Sequence, residues 1–180
     1  MTVRNPSRLR LASLRKDVPT AFDYAPDEAT LAALRDRLDL LGLRKVRLRG
    51  EIAPEGRADW RLTAQLGATV QQPCTVTLEP VTTRIDEPVA RLYLAGFRTP
   101  SEAETEMPED DTQEPLPDAI ALDALTEEAL ALALPAFPRH PGAAPFEASA
   151  APPGAAPLDD TASQPSPFAG LADLKRKLDD

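Results

Sequence analysis

The stretch RKVRLRGEIAPEGRADWRLTAQLGATV, residues 44–70, predicts two paired β-strands. In its first part Val46, Leu48 and Ile52 fall on one side of an extended chain, and Lys45, Arg47, Arg49 and Glu51 fall on the other. The second part has an apolar residue at every even position from Trp60 to Val70. A turn is indicated between the two parts by PEG at 54–56. The alternation predicts an antiparallel pair with one buried face and one wet face.

A helix is predicted before this hairpin, over residues 27–41, DEATLAALRDRLDLL. Asp27 is suited to the N-cap, and Gly42 supplies a stop signal. The apolar residues of this segment recur at helical spacing, and they are Leu31, Leu34, Leu38 and Leu41.

Two more strands are predicted after the hairpin. CTVTLEPV, residues 74–81, alternates through Cys74, Val76 and Leu78 before Pro80 breaks the ladder, and RIDEPVARLYLAG follows with Pro88 at its start. Arg8–Leu14 is a candidate edge strand. Short consecutive strands linked by turns predict an α+β fold: an antiparallel β-sheet or small open barrel covered by one N-terminal helix.

A change of composition begins near residue 99. Residues 101–118 hold eight acidic residues and no basic one, which predicts a disordered acidic insertion over about 99–117. After it, AIALDALTEEALALAL predicts a second helix that ends at Pro135, with Leu122, Leu125, Ala129 and Leu132 on one stripe. Residues 1–141 are therefore predicted to form one domain that contains the insertion.

The remainder of the chain is predicted to be a disordered tail that ends in a short helix. Residues 142–165 form a Pro/Ala-rich linker, which has too few large apolar residues to form a core. In residues 166–178, SPFAGLADLKRKL, the apolar residues Phe168, Leu171 and Leu174 share one helical face. This amphipathic segment is a candidate docking helix, and folding back onto the domain is an equal alternative.

The charge is unevenly distributed along the chain. The formal net charge is −9, but residues 1–98 carry +4 and residues 99–180 carry −13. The single cysteine excludes an intrachain disulfide. No apolar run approaches the roughly 20 residues of a membrane span, and the N-terminus lacks the apolar core of a signal peptide. These features predict a soluble, cytoplasmic protein.

Few residues are available for catalysis or metal binding. The chain has one Cys and one His, Cys74 and His140, and Cys74 lacks a CxxC partner because Thr77 stands three positions on. Cys74 is predicted to be buried in a strand, and Glu79 has no second carboxylate placed to work with it. We therefore expect no enzymatic activity, no cofactor and no metal.

One basic stripe is a candidate surface for RNA. Lys45, Arg47 and Arg49 project from the same side of one predicted strand, and Arg61 joins them from the next. Cations at two-residue spacing suit a phosphate backbone. The alternative interpretation is an ordinary solvated sheet face.

Two motifs and their order resemble those of a known family. CTVTLEPV, then a strand, an acidic insertion and IALDALTEEALALALPAFPRHPG look like the YceD family of bacterial large ribosomal RNA subunit accumulation proteins, and the closing PFAGLADLKRKL is similar to the family's ending. The resemblance covers roughly residues 5–141 and 165–178. The positions that match the pattern, interpreted as structural or partner-contacting, are Cys74, Thr77, Glu79, Pro80, Asp123, Glu128, Pro138 and Arg139. Many members carry a second Cys where this chain has Thr77, so a metal role does not transfer.

The resemblance implies a non-enzymatic role in the accumulation of large-subunit ribosomal RNA during ribosome assembly. The protein would then bind that RNA or a ribosomal protein. A second hypothesis is an adaptor that acts through the acidic loop and the C-terminal helix without touching RNA. A third is an enzyme or redox sensor that depends on Cys74.

Overall fold

The structure is a computed structural model that describes residues 2–97 and 112–143. These residues form eight strands, two α-helices and one 3-10 turn. In chain order they are β1 (Thr2–Arg4), β2 (Arg8–Arg10), the 3-10 turn (Leu11–Ser13), β3 (Thr20–Tyr24), α1 (Glu28–Arg37), β4 (Gly42–Glu55), β5 (Asp59–Pro73), β6 (Pro80–Leu94), β7 (Gln113–Pro115), β8 (Ala119–Ala121) and α2 (Leu122–Ala133).

Six of the strands form one mixed sheet in the order β1-β3-β4-β5-β6-β7. The three central pairings are antiparallel, and the two outer pairings, β1 with β3 and β6 with β7, are parallel. β2 and β8 pair separately as an antiparallel ribbon. The predicted α+β class is therefore confirmed. The barrel alternative is wrong, because the described strands form an open sheet whose two ends are short parallel strands.

The hairpin predicted over residues 44–70 is confirmed as β4 and β5. Its register pairs Leu48 with Leu66 and Ile52 with Leu62, which places apolar side chains opposite one another. All four side chains are completely buried. This inward row begins the core to which α1, α2 and β6 add their own apolar residues.

The strand predicted over CTVTLEPV is wrong. β5 ends at Pro73 and β6 begins at Pro80, so residues 74–79 form the turn between them. Leu78 has a left-handed φ of 62° and an exposed side chain, so it does not share a strand face with Cys74. β6 is longer than predicted and has Pro88 in its middle. The missing N–H is tolerated there because β7 pairs only with Leu92–Leu94.

The first helix begins as predicted and ends early. The Asp27 side chain accepts a hydrogen bond from the Thr30 N–H at 2.8 Å, as expected of an N-cap. The helix ends at Arg37 rather than at residue 41. Asp39 has a left-handed φ of 50°, which ends the helical path before Gly42. Leu41 is consequently exposed.

The second helix follows the acidic segment as predicted, and one residue of its stripe is misplaced. Leu122, Leu125 and Ala129 are buried against the sheet. Leu132 is 77% exposed, and Leu130 is fully buried in its place. The last turn still packs on the core through Leu130 and Ala133, and Leu132 lies on the opposite side of the helix.

Both helices pack on the inward face of the sheet. Their buried residues belong to the same apolar cluster as the inward residues of β3 to β6. No helix of the described chain covers the opposite face, where the outward residues of β4 to β6 are largely exposed. Among the residues that the structure describes, none forms a layer over this face, which we call the open face of the sheet.

The predicted insertion is too long at its C-terminal end. Gln113–Pro115 form β7, and Glu114 is held by Arg91 of β6 at 2.7 Å, so backbone pairing and an ion pair order residues assigned to the loop. The candidate edge strand over Arg8–Leu14 is β2, which is shorter than predicted and pairs outside the main sheet. The rest of the insertion, most of the linker and the candidate docking helix lie outside the described residues. Neither described helix is long and apolar enough to span a membrane.

The inward row of the hairpin is predicted to dominate stability. Leu62→Ala removes a completely buried side chain and should lower the free energy of unfolding by about 2–5 kcal/mol. Thr63→Ala, on the exposed side of the same strand, should change it by no more than about 0.5 kcal/mol. Urea unfolding measures both variants. Equal losses for the two would contradict the assigned faces.

Candidate nucleic-acid interface

The open face of the sheet carries a cluster of arginines. Arg44, Arg47 and Arg49 point outward from β4, in register with Thr69, Gly67 and Gln65 of β5. Arg84 points outward from β6 and is in register with Thr69. Arg4 of β1 is in register with Asp23 of β3, which is itself in register with Arg49. We call Arg4, Arg44, Arg47, Arg49 and Arg84 the arginine cluster.

A β-bulge shapes the cluster on β4. The register of β4 against β5 shifts between Arg44 and Arg47, and Lys45 in the bulge has a left-handed φ of 55°. The extra residue returns Arg44 to the same face as Arg47. Without the bulge, strict alternation would have turned Arg44 toward the core.

Gly67 makes room for Arg84 at the centre of the face. A Cβ atom on Gly67 would come within 2.6 Å of an Arg84 guanidinium nitrogen and 3.4 Å of an Asp86 carboxylate oxygen. The Arg84 side chain therefore lies across β5, over a position with no side chain. This brings a cation from β6 toward Arg47, the β4 partner of Gly67.

Two aspartates offset part of the charge. Asp23 forms two hydrogen bonds with Arg47 and is 3.4 Å from Arg49, while Asp86 forms two with Arg84, at 2.8 and 2.6 Å. Hydrogen bonding to Arg47 lowers the pKa of Asp23, and hydrogen bonding to Arg84 lowers the pKa of Asp86. Both carboxylates are thus ionised at neutral pH, and the cluster keeps a formal charge of +3.

The predicted RNA-contact residues do not all lie in this cluster. Arg47 and Arg49 belong to it, whereas Lys45 is in the bulge. Arg61 is near the other end of the sheet, where Glu55 holds it at 3.1 Å. The sequence pattern did not predict Arg4 or Arg84, and it placed Arg44 beside the basic stripe without making it a contact residue. The outward direction of Arg44 depends on the β-bulge, which strict alternation does not predict. Arg4 and Arg84 come to this face only through strand pairing.

An uncharged strip runs through the middle of the face. The outward residues of β5 beside the arginines are Gln65, Gly67, Thr69 and Gln71. Gln71 donates a hydrogen bond from Nε2 to Thr82 Oγ1 at 3.1 Å. We call these four residues the neutral strip. It presents hydrogen-bonding groups beside the arginines of β4, and the Arg84 guanidinium lies over its Gly67.

A second group of interacting residues lies where the CTVTLEPV motif contacts the PRHPG end of the other motif. The turn at residues 74–79 contacts residues 138–140, which follow α2, and we call the two segments together the motif junction. Thr75 donates hydrogen bonds to the Pro138 carbonyl from its N–H at 3.0 Å and from its hydroxyl at 3.3 Å. The His140 N–H donates to Cys74 Sγ at 3.3 Å.

Cys74 is the centre of the motif junction and is completely buried. Its sulfur also accepts hydrogen bonds from the N–H groups of Val76 and Thr77, both at 3.4 Å. Hydrogen bonding from Thr77 and from the backbone of His140 lowers the pKa of the Cys74 thiol to about 6. The three N–H donors favour the thiolate form of the sulfur, so Cys74 is not a purely apolar core group.

The motif junction does not have the geometry of a Cys/His nucleophilic site. His140 reaches the sulfur through its backbone N–H, and its ring Nδ1 accepts from the Gly142 N–H at 3.2 Å. The buried sulfur offers no surface to a substrate. Glu79 closes the turn instead, because its carbonyl accepts from the Cys74 N–H at 2.8 Å and its side chain accepts from Thr77.

The remaining motif positions are spread around the fold. Pro80 is the first residue of β6, Pro138 is buried in the motif junction and Arg139 is exposed. Glu128 of α2 forms an ion pair with Arg91 of β6. Asp123, in the first turn of α2, accepts a hydrogen bond from the Ala124 N–H. Within the described residues, no three His, Cys, Asp or Glu side chains come together as a metal site.

Comparison with known proteins decides the family. A family model described as "Large ribosomal RNA subunit accumulation protein YceD" matches residues 62–175, more than half of the chain. The chain belongs to the YceD family. The match begins within β5, so it contains the motif junction and leaves out β1 to β4, although the resemblance had been expected from about residue 5. No curated protein and no solved structure matched the chain.

The family name associates the YceD chain with accumulation of the large ribosomal RNA subunit, and it names no chemical reaction. The resemblance predicted from the two motifs is therefore confirmed.

The Cys74 thiolate predicts a pH-dependent contribution to stability. The folded thiol loses its proton near pH 6, and an unfolded one near pH 8.5, so the unfolded chain binds more protons between these values. Stability from this group should be absent below pH 6 and should grow as the pH rises to about 8.5. Cys74→Ser lacks it. The difference in melting temperature between the native protein and the variant should widen over this range, and a constant difference would contradict the thiolate.

Proposed function

We propose that this YceD chain supports the accumulation of large-subunit ribosomal RNA by binding RNA through the open face of its sheet. The observation that carries the proposal is the arginine cluster, which gathers five guanidinium groups from three strands, β1, β4 and β6, on a face that no described helix covers. Guanidinium groups bind phosphate oxygens with paired hydrogen bonds.

The local charge supports RNA binding despite the acidic chain. The whole chain carries −9, but charges farther apart than about 8–10 Å are largely screened at physiological salt. Glu51, exposed on the same side of β4 two residues from Arg49, reduces the local formal charge from +3 to +2, and an approaching phosphate meets this positive field. Its two aspartates also hold Arg47 and Arg84 in defined positions before RNA arrives, which reduces the entropy lost on binding.

The motif junction supports this role indirectly. It fixes the end of the β5–β6 hairpin against the segment after α2, and β5 and β6 carry the neutral strip and Arg84. The adaptor alternative rests on the acidic loop and the C-terminal helix, and both lie mainly outside the described residues. No specific observation favours it over RNA binding.

Removing cations from the cluster should weaken RNA binding and its dependence on salt. Arg44→Gln, Arg49→Gln and Arg84→Gln together remove three phosphate contacts while the fold is retained, because all three side chains are exposed. We expect affinity for a large-subunit RNA fragment to fall about 10- to 100-fold and the slope of log K against log salt to decrease by about 2–3. Fluorescence anisotropy at several salt concentrations measures both.

The matched control removes the same number of exposed cations elsewhere. Arg8→Gln, Arg35→Gln and Arg57→Gln change β2, α1 and the β4–β5 turn, away from the arginine cluster. This control should keep most of the affinity and slope of the native protein. Equal losses in the two triple variants would show that only net charge matters, and the proposal would fail.

Gly67 offers a test of position rather than charge. Gly67→Val should push the Arg84 guanidinium off β5, since even a Cβ atom would approach it to 2.6 Å. Stability should stay near the native value, because the atom to be displaced is the far end of a flexible side chain and valine favours strands. We expect weaker RNA binding with an unchanged melting temperature. Ala90→Val, on the outward face of β6, is the control and should bind as the native protein does.

A further inference from the structure

We infer that the open sheet face recognises double-helical RNA by its backbone and shape, and not single-stranded RNA by its bases. This inference rests on the proposed function and names the class of RNA that the arginine cluster and the neutral strip fit. It follows from what the face contains, from what it lacks and from its dimensions.

The face lacks the aromatic side chains that bind single-stranded bases. Sheet proteins that bind single strands stack bases on exposed aromatic rings. Here the aromatic residues of the described strands all point inward and are buried, and they are Phe22, Tyr24, Trp60 and Tyr93. No aromatic residue occupies an outward position of β3 to β6. An unstacked base would therefore find no ring on this face.

The cations of the face are spaced so that they can contact both phosphate backbones of a double helix. Arg4 of β1 and Arg49 of β4 are separated by β3, and neighbouring strands are about 4.8 Å apart, so the backbones that carry these two arginines are about 10 Å apart. Along β4, Arg44 and Arg49 are about 15 Å apart at the rise of an extended strand. Two rows of phosphates on either side of a groove can meet this pattern. A single flexible strand needs only one row.

The neutral strip lies on β5, directly beside the arginines of β4 that would hold one backbone of such a duplex. Double-helical RNA displays 2′-hydroxyl groups across a wide, shallow minor groove. Gln65, Thr69 and Gln71 carry side chains that both donate and accept hydrogen bonds, and a 2′-hydroxyl does the same. At Gly67 the strip carries the Arg84 guanidinium, which adds one cation among these hydrogen-bonding groups. These residues should therefore distinguish RNA from DNA, while the arginines supply affinity.

A comparison of three nucleic acids tests the inference with the full-length protein. The probes are a 20-base-pair RNA duplex, a DNA duplex of the same sequence and an unstructured single-stranded RNA with the same number of phosphates. Fluorescence anisotropy at one fixed salt concentration gives each affinity. We expect the RNA duplex to bind at least about tenfold more tightly than the single strand, because the single strand must be ordered and has no ring to stack on.

Variants of the neutral strip separate sugar recognition from charge. Gln65→Ala with Thr69→Ala should bring the RNA duplex affinity close to that of the DNA duplex and leave the salt slope unchanged, because no cation is lost. Ser13→Ala removes an exposed hydroxyl from the 3-10 turn, outside the six-stranded sheet, and should have no effect.

The outcomes distinguish the two levels of the account. Single-stranded RNA bound as tightly as the duplex would overturn the inference and leave RNA binding by the face intact. Equal affinity for the RNA and DNA duplexes in the native protein would overturn the role of the neutral strip. If no RNA bound above the level of the Arg44, Arg49 and Arg84 variant, the proposed function itself would fail and the inference with it.

Discussion

Strict alternation in the β4–β5 hairpin is the constraint on which the rest of the structure depends. Because side chains of paired strands point to the same side, one register choice sends Leu48, Ile52, Leu62 and Leu66 into the core together. The same choice sends the residues between them outward, where arginines accumulate on β4 and uncharged residues on β5. A slip by one residue would bury the arginines and expose the leucines, at a cost that no other contact in the domain could offset. The functional face and the core are therefore two results of one pattern.

The motif junction stabilises the turn that closes the second hairpin, formed by β5 and β6. A hairpin turn with unpaired N–H groups would fray, and here the Cys74 sulfur accepts hydrogen bonds from two of them, those of Val76 and Thr77, and from the N–H of His140 in the segment after α2. The sulfur therefore acts as a hydrogen-bond acceptor rather than as an apolar side chain. Its hydrogen bonds connect the turn after β5 to the residues after α2. Family members with a second Cys at the position of Thr77 would have another sulfur in this turn. In this chain the Thr77 hydroxyl bonds to Glu79 instead.

Sequence patterns predicted what depends on local periodicity. The central hairpin, the Asp27 cap, the presence of both helices and the outward positions of Arg47 and Arg49 all follow from alternation or helical spacing. The edge strands β1 and β7 could not be predicted, because three-residue strands acquire their structure from the partner and carry no period of their own. Cys74 was misassigned to a strand because its parity with Val76 imitates alternation, whereas the turn is held by hydrogen bonds between residues more than sixty positions apart. The β-bulge places Arg44 in the cluster, and the absence of a side chain at Gly67 lets Arg84 lie across β5. Both depend on how the strands pair, which local periodicity does not reveal.

The central claim is that RNA meets the open face around Gly67. An NMR titration of the isotopically labelled full-length protein with the RNA duplex tests it most directly, because each backbone amide reports on its own surroundings. The account predicts that the largest shift changes lie in β4, β5 and β6 around Arg47, Gly67 and Arg84, with residues 137–140 and the exposed side of α2 unchanged. Shift changes confined to the motif junction or to α2, with the amide of Gly67 unaffected, would contradict it.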